Sequence, residues 1–301
     1  MQTQEHHSLT LVLSKPDQNT LSALADLCAN IDGLTVNQAT ILSKNKALDL
    51  RINLVPNLRK TIETLLAQNG IEADFCIQAV TGRKKQLLIC DMDSTLIGQE
   101  CIDELADFAG VKDRVSGITE RAMRGELDFD AALKERVKLL KGLPLSKLQT
   151  CFEERIFLNT GAKTLCQTMR KNGAKTVIVS GGFTFFTGHI AQLAGFETHQ
   201  ANTLIDDGTH LTGDVGMPIL GRDAKKSALD HHSAPFGGAQ TAIAIGDGAN
   251  DLAMIEAAGL GIAYYAKPIV ADAAHCAINT TDLTTALYFQ GYKDEDFVSE
   301  E

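Results

Sequence analysis

Basic charge is scarce in this sequence. Its 301 residues hold 28 Lys and Arg against 38 Asp and Glu, a formal net charge of −10. Nucleic acid and anionic membranes both need a basic surface that neutralises phosphates, so neither is an expected partner. No Cys-x-x-Cys pair occurs among the seven cysteines at positions 28, 76, 90, 101, 151, 166 and 276. This odd, scattered set fits neither a disulfide framework nor a zinc ribbon. No apolar run approaches the ~18 residues that span a bilayer. The polar opening from Met1 to Ser8 lacks the basic start and apolar stretch of a signal peptide. A reducing cytoplasm is the expected compartment. Nucleotide fingerprints are missing as well. Without a Gly-Lys-Ser or Gly-Lys-Thr there is no Walker A loop. In Gly246-Asp247-Gly248-Ala249-Asn250-Asp251 an anionic side chain stands where a Rossmann turn needs its third glycine.

What is present describes an ordinary globular chain, 44% hydrophobic and 22% charged, long enough for about two domains. Charge is unevenly shared. Residues 1 to 85 carry 9 basic and 8 acidic side chains, residues 86 to 293 carry 19 and 25, and Asp294 to Glu301 carry none and 5. The last segment reads as a solvated, frayed acidic tail. The excess of acids that can do chemistry lies in the middle.

From Ser8 to Val80 the pattern reads strand, helix, strand, strand, helix, strand. Leu9, Leu11 and Leu13 alternate at period two, Leu21, Leu24, Leu27, Cys28 and Ile31 recur at helical spacing, and Leu48 to Leu54 alternate again. Leu58, Ile62, Leu65 and Leu66 mark a second helix, and Phe75, Ile77 and Ala79 a last strand. That order predicts a small α+β ferredoxin-like module over 1–80. In arrangement it resembles the ACT domains that bind amino acids, although the turn Lys15-Pro16-Asp17-Gln18-Asn19 lacks the glycine those domains place there. The module is read equally as a structural or homodimer-forming element and as an amino-acid sensor. Residues 81–85, Thr-Gly-Arg-Lys-Lys, read as a linker.

After the linker the grammar changes. Leu87 to Cys90, Val177 to Val179 and Ala242 to Ile245 are continuous apolar runs, the mark of parallel strands buried on both faces. Each precedes a polar or glycine-rich turn and a helical stretch, which predicts an α/β doubly wound parallel sheet over 86–293. Asp207-Gly208, between Asn202–Asp206 and Thr209–Asp214, signals a hairpin. Residues 98 to about 157 are too long for a βα connection. With helices expected over Glu100–Ala109, Asp113–Arg124 and Asp128–Lys141, they form an inserted cap above the strand ends, where ligands bind in such sheets.

The first apolar run ends in Asp91-Met92-Asp93-Ser94-Thr95, whose carboxylates two apart project to one side. The second ends in Val179-Ser180-Gly181-Gly182, a hydroxyl and open backbone N–H groups fit to hold phosphate oxygens. Lys225 precedes the third, which ends in Gly-Asp-Gly-Ala-Asn-Asp. The four segments in this order resemble the haloacid dehalogenase (HAD) superfamily of phosphatases. The stretch Leu87 to about Leu287 is similar to its phosphoserine phosphatase branch, including the cap runs Gln99 to Leu105, Gly125 to Phe129, and Arg136-Val137.

That resemblance implies Mg²⁺-dependent hydrolysis of O-phospho-L-serine, the last step of serine biosynthesis. Asp91 would be the nucleophile and Asp93 the acid and base, with Ser180, Gly181 and Lys225 on the transferring phosphoryl oxygens. Asp91, the backbone carbonyl of Asp93, and Asp247 would hold the metal, with Asp251 supporting it from behind and Asn250 beside the substrate. In the cap, Glu100 would meet the substrate ammonium, Arg136 its carboxylate, and Met123 and Phe129 would form the apolar wall. Two alternatives stand beside this reading. One is a related phosphatase or a phosphotransferase to another alcohol such as homoserine. The other is an amino-acid-sensing regulator whose hydrolase domain is inert, which a missing Asp or Lys would betray; all are present. The histidines at 189, 199, 210, 231, 232 and 275 show no metal spacing and are expected to be structural, as are the cysteines.

Overall fold

The computed structural model describes residues 7–123 and 126–299. Expectations placed on Arg124, Gly125 and the side chain of Met123 lie outside the described residues. The N-terminal unit runs β1 (His7–Leu13), α1 (Gln18–Ala29), β2 (Val36–Ser43), β3 (Ala47–Ile52), α2 (Leu58–Gln68) and β4 (Ala73–Ala79). Its strands form an antiparallel sheet in the order β2-β3-β1-β4. The glycine-free turn before α1 acts as a helix cap: the Asp17 carboxylate accepts the backbone N–H groups of Asn19 and Thr20.

Leu9, Leu11 and Leu13 face α1 and α2, in one core with Leu24, Cys28 and Ile62. The alternate face is buried too, which period-two alternation with Ser8 and Thr10 did not suggest. Val12 and Cys76 join the core of the larger unit. Ser8 and Thr10 donate to Asp49, which pairs with Arg83 at 2.8 Å, and Arg83 in turn donates to the carbonyl of Phe289. Arg83, expected in a linker, is thus a half-buried bolt between the units. Asp74 is a second one. It accepts the backbone N–H groups of Asn279, Thr280 and Thr281 and, at 2.6 Å, the Thr281 hydroxyl.

The larger unit opens with β5 (Leu87–Cys90) and then an all-helical insertion: α3 (Cys101–Phe108), α4 (Lys112–Met123), α5 (Phe129–Lys138) and α6 (Ser146–Arg155). Asp128 caps α5 by accepting Ala131 N–H at 2.7 Å. The fourth helix, α6, was not among the three expected. Then follow α7 (Ala162–Lys171), β6 (Lys175–Phe183), α8 (Thr184–Ala194), β7 (Thr198–Asn202), β8 (Leu204–Asp206), β9 (Leu211–Val215), α9 (Arg222–Ser233), β10 (Ala242–Gly246), α10 (Leu252–Ala257), β11 (Leu260–Tyr264), α11 (Pro268–Ala273), β12 (Cys276–Ile278) and α12 (Thr285–Phe289). The predicted hairpin is β8–β9, and its Leu211 bonds to Gly142 and Leu143, pinning the end of the insertion.

Six strands form one parallel sheet in the order β12-β11-β10-β5-β6-β7. From β5 the chain builds outward first through β6 and β7, then back through β10, β11 and β12. The switch point falls between β5 and β10, where a doubly wound sheet opens its crevice at the carboxyl ends. The tail corrects an expectation. Residues 294–299 do not hang free: Phe297 packs on Tyr288, Tyr288 donates its hydroxyl to Asp294, and Val298 N–H bonds to Thr168. One aromatic side chain anchors a segment whose charge suggested solvation. No helix among the described residues is long and apolar enough to cross a membrane.

Candidate active site

Asp91 leaves the end of β5 and Asp247 the end of β10, so adjacent strands deliver both carboxylates to the switch point. Asp251 joins them from the start of α10, with one oxygen from each of the three acids lying within 4.8 Å of the others. The close turn needs Gly246, where a Cβ would overlap the Asp251 carboxylate. Lys225 on α9, 2% exposed, inserts from below and contacts both Asp91 and Asp251 at 2.6 Å. Thr95 donates to Asp247 at 3.1 Å, and Gly248 N–H to Asp251.

These contacts set the ionisation of the cluster. Burial and the neighbouring Asp251 carboxylate hold Asp91 well above the usual carboxylate range, against the pull of Lys225. Burial and Asp251 likewise push Asp247 up to about 6. Burial alone would lower the Lys225 ammonium, but Asp251 and Asp91 outweigh it and hold the lysine protonated. Three crowded acids with one lysine between them leave negative charge in excess, and every donor is oxygen. This is the donor set a hard divalent cation prefers.

Asp93 takes a different position from the three clustered carboxylates. Past β5 the chain turns tightly at Ser94, whose φ of 53° lies in the left-handed region, and the backbone N–H groups of Thr95, Leu96 and Ile97 gather on Met92 O. The Asp93 side chain therefore reaches toward β6 and α3, accepting Ser180 Oγ–H at 3.1 Å and Cys101 N–H at 2.8 Å. Burial raises its pKa, and the Cys101 N–H opposes that rise. Ser180 also accepts Gly182 N–H at 2.9 Å, and a Cβ on Gly182 would come within 2.5 Å of the Asp93 carboxylate.

The inserted helices roof this floor. The Phe129 ring lies over Gly181, 3.1 Å from where a Cβ would stand. Glu100 accepts Ser94 Oγ–H at 2.7 Å, and burial, then the Asp93 charge, push it up to about 7. Arg136 bonds through Nε to Ala132 O, and burial lowers its pKa against the opposing charges of Asp103, Glu100 and Asp93. A cavity of about 590 Å³ is bounded by Asp91, Asp93, Glu100, Phe129, Arg136, Ser180, Gly181, Asp247 and Asn250. Lys225 and Asp251 sit behind its floor, and the Met123 side chain lies outside the described residues.

Several contributors were not singled out from the sequence. Thr95 and Ser94 lay inside a quoted motif without a role. Asn202 is fully buried and braces the floor, donating to Gly181 O at 2.9 Å and accepting Leu220 N–H at 2.7 Å; nothing local in the sequence marks it. Lys267 lines the cavity from the turn after β11, a strand that the sequence reading did not pick out. The histidines are occupied elsewhere: His199 with Thr187, His189 with Phe185 O, His232 with Gln200, and His275 with Gly261 N–H. All seven cysteines are free and buried.

The comparison with known proteins agrees with this geometry. The haloacid dehalogenase-like hydrolase family matches residues 88–256. A phosphoserine phosphatase of Streptomyces coelicolor is 40% identical over 298 residues, covering 96% of this chain and 72% of that protein. The crystal structure of a probable phosphoserine phosphatase from Vibrio cholerae superposes with a TM-score of 0.77 at 30% identity, over 94% of this chain and 86% of that one. A phosphoserine phosphatase solved as its phospho-aspartyl intermediate analogue gives a TM-score of 0.63 at 40% identity, over 68% of this chain and 99% of that one. The first two alignments span the N-terminal unit as well as the catalytic one. This chain therefore belongs to the haloacid dehalogenase-like hydrolases, and within them to the phosphoserine phosphatases.

Proposed function

We propose that the chain hydrolyses O-phospho-L-serine to L-serine and phosphate through an aspartyl-phosphate on Asp91, as the closing step of serine biosynthesis. One observation carries the substrate assignment. Glu100 and Arg136, of opposite charge, face the same cavity as Asp91, so a phosphate, an ammonium and a carboxylate each have a counterpart. Asp91 attacks phosphorus as the bond to the serine oxygen breaks, and the departing oxygen takes a proton from Asp93. A buried Asp93 with raised pKa is suited to holding that proton. It then removes one from the water that attacks the acyl phosphate, releasing phosphate and restoring Asp91. The Ser180 hydroxyl, the Gly181 N–H and Lys225 offset charge on the phosphoryl oxygens. The phospho-aspartyl analogue of the similar phosphatase supports the intermediate.

Asp91, Asp247 and the carbonyl of Asp93 would hold Mg²⁺, with Asp251 steadying the group through Lys225. Bound there, the cation supplies Lewis-acid charge that offsets the negative phosphate. A pH signature follows. Asp247 rises from an ordinary 3.8 to about 6 and Glu100 from 4.5 to about 7 on folding. The folded chain thus keeps protons that the unfolded chain has lost. The stability these groups contribute is complete below about pH 4 and declines as pH rises through 7. In chelator, the unfolding midpoint should fall as pH rises from about 4 through 7, and Mg²⁺ should raise it more at pH 8 than at pH 5.5. An equal Mg²⁺ shift at both pH values would contradict the carboxylate site.

The substrate assignment is tested at Arg136. Arg136→Ala should raise KM for phosphoserine by about tenfold to a hundredfold, the scale of a lost bidentate carboxylate pair, while KM for an aryl phosphate changes by less than about twofold. Equal effects on both substrates would mean that Arg136 does not read the carboxylate. For residues 1–80 we propose an ACT-like module, joined through 81–85 to a catalytic domain over 86–293. The element order and the β2-β3-β1-β4 sheet support it. Pairing two chains and binding an amino acid are the two roles assigned to such a module. Seven free cysteines support a reducing, cytoplasmic setting.

A further inference from the structure

The cavity's charge is ill suited to an anionic substrate at first encounter. Among the described residues, its lining carries the carboxylates of Asp91, Asp93, Glu100, Asp103 and Asp247 and two cations, Arg136 and Lys267. Lys225 lies behind the floor, held by two acids. Arg136 is half-buried under the roof, whereas Lys267 is exposed, and no ion pair occupies it among the described residues. The sheet order explains its place. β11 lies beside β10, so the turn Tyr265-Ala266-Lys267 emerges next to Asp247–Asn250 at the same edge of the crevice.

That turn is held in an unusual shape. Tyr265 has a φ of 44°, a left-handed conformation that a bulky side chain keeps only where its surroundings enforce it. The enforcement is visible. Tyr265 N–H bonds to Ile278 O at 2.8 Å and its hydroxyl donates to Thr281 O at 3.1 Å. Thr281 is itself fastened through its N–H and hydroxyl to Asp74 of the N-terminal sheet. Pro268 then starts α11, with Lys267 extended as its cap residue. A chain of direct hydrogen bonds thus runs from the N-terminal unit to the lysine-bearing turn at the mouth of the cavity.

We propose that Lys267 is the substrate-capturing cation of this enzyme, its ammonium meeting the phosphate dianion at the cavity mouth, and that Tyr265 is the positioning residue that holds it there. The inference deepens the phosphatase reading and rests on it. An exposed charge of this kind acts on encounter and ground-state binding, so it sets kcat/KM and leaves the chemical step alone.

The test uses the full chain with Mg²⁺, phosphoserine and an aryl phosphate, at about 20 and 300 mM salt. Lys267→Ala should lower kcat/KM about tenfold at low salt for both esters with kcat within about twofold, and the deficit should shrink to below about threefold at high salt as charges are screened. Lys267→Arg should keep the wild-type values. Tyr265→Phe, which removes a single hydroxyl, should lower kcat/KM about threefold and add nothing further in the Lys267→Ala background, because coupled residues do not add. Unchanged kcat/KM in Lys267→Ala, or a matching fall in kcat, would overturn the capture role. An additive Tyr265→Phe effect would overturn the positioning role. A wild-type chain that prefers another phosphate ester would defeat the phosphoserine reading alone, since Lys267 addresses the phosphate common to all of them.

Discussion

Asp91→Asn should leave a folded protein with turnover reduced by roughly 10⁴-fold or more, the scale on which removal of a covalent nucleophile acts. At about 1.4 kcal/mol per decade this is a loss of at least about 5 kcal/mol of transition-state stabilisation. The fold should survive because Asn keeps the shape of the side chain and its carbonyl can still accept Met92 N–H, a bond of 2.7 Å in the native chain. Stability in chelator should hold or rise. Burial and the Asp251 charge already disfavour ionised Asp91, and the substitution removes that conflict along with the Lys225 contact. Single-turnover phosphate release and denaturant unfolding of the same sample separate the two effects. A variant keeping a tenth of the activity would exclude Asp91 as the nucleophile.

Lys225→Met carries the second large effect, and it falls on stability as well as rate. The lysine sits between Asp91 and Asp251, each 2.6 Å away, with all three side chains buried. Taking away the shared cation leaves two buried acids without their common partner, which costs about 3–5 kcal/mol by the usual measure of a broken buried pair. Asp251→Asn in the same background should restore part of that stability, because it removes the Asp251 charge left without a cation, and should restore none of the rate. Turnover should fall by about 10² to 10³, as when one donor to a transferring group is lost. Saturating Mg²⁺ should narrow the stability deficit. A Lys225→Met protein as stable as the native one in chelator would contradict the description of this cluster.

Much of the site could be read from local spacing because its chemistry sits at strand ends. Asp91 and Asp93 are two apart, Asp247 follows an apolar run, and the glycines that permit the turns are adjacent in sequence. What joins distant segments left no such trace. Ser8 and Thr10 alternate with Leu9, Leu11 and Leu13, a pattern that does not mark their face as covered, yet Arg83 and α12 pack on it and their hydroxyls serve a half-buried network with Asp49. Arg83 looked like linker because its partners, Asp49 and Phe289 O, are 34 and 206 positions away. The acidic tail looked solvated because charge outweighed its one aromatic anchor, Phe297. Asn202 and Lys267 escaped notice for the same reason: each matters only through neighbours that the sheet order brings to it. Net charge was uninformative for phosphate. Asp91, Asp247 and Asp251 gather oxygen donors of the kind a hard cation prefers, and a cation held there would offset the charge of an anionic substrate.

The central claim is tested most directly by phosphate release across a panel of phosphorylated small molecules, phosphoserine, phosphothreonine, phosphohomoserine, a sugar phosphate and an aryl phosphate, each with Mg²⁺ and again with chelator. The account predicts a kcat/KM for phosphoserine at least about tenfold above every other member, and activity that vanishes with chelator and returns when Mg²⁺ is restored. A chain that treats phosphoserine no better than the sugar or aryl phosphate, or that keeps its activity without metal, would contradict it.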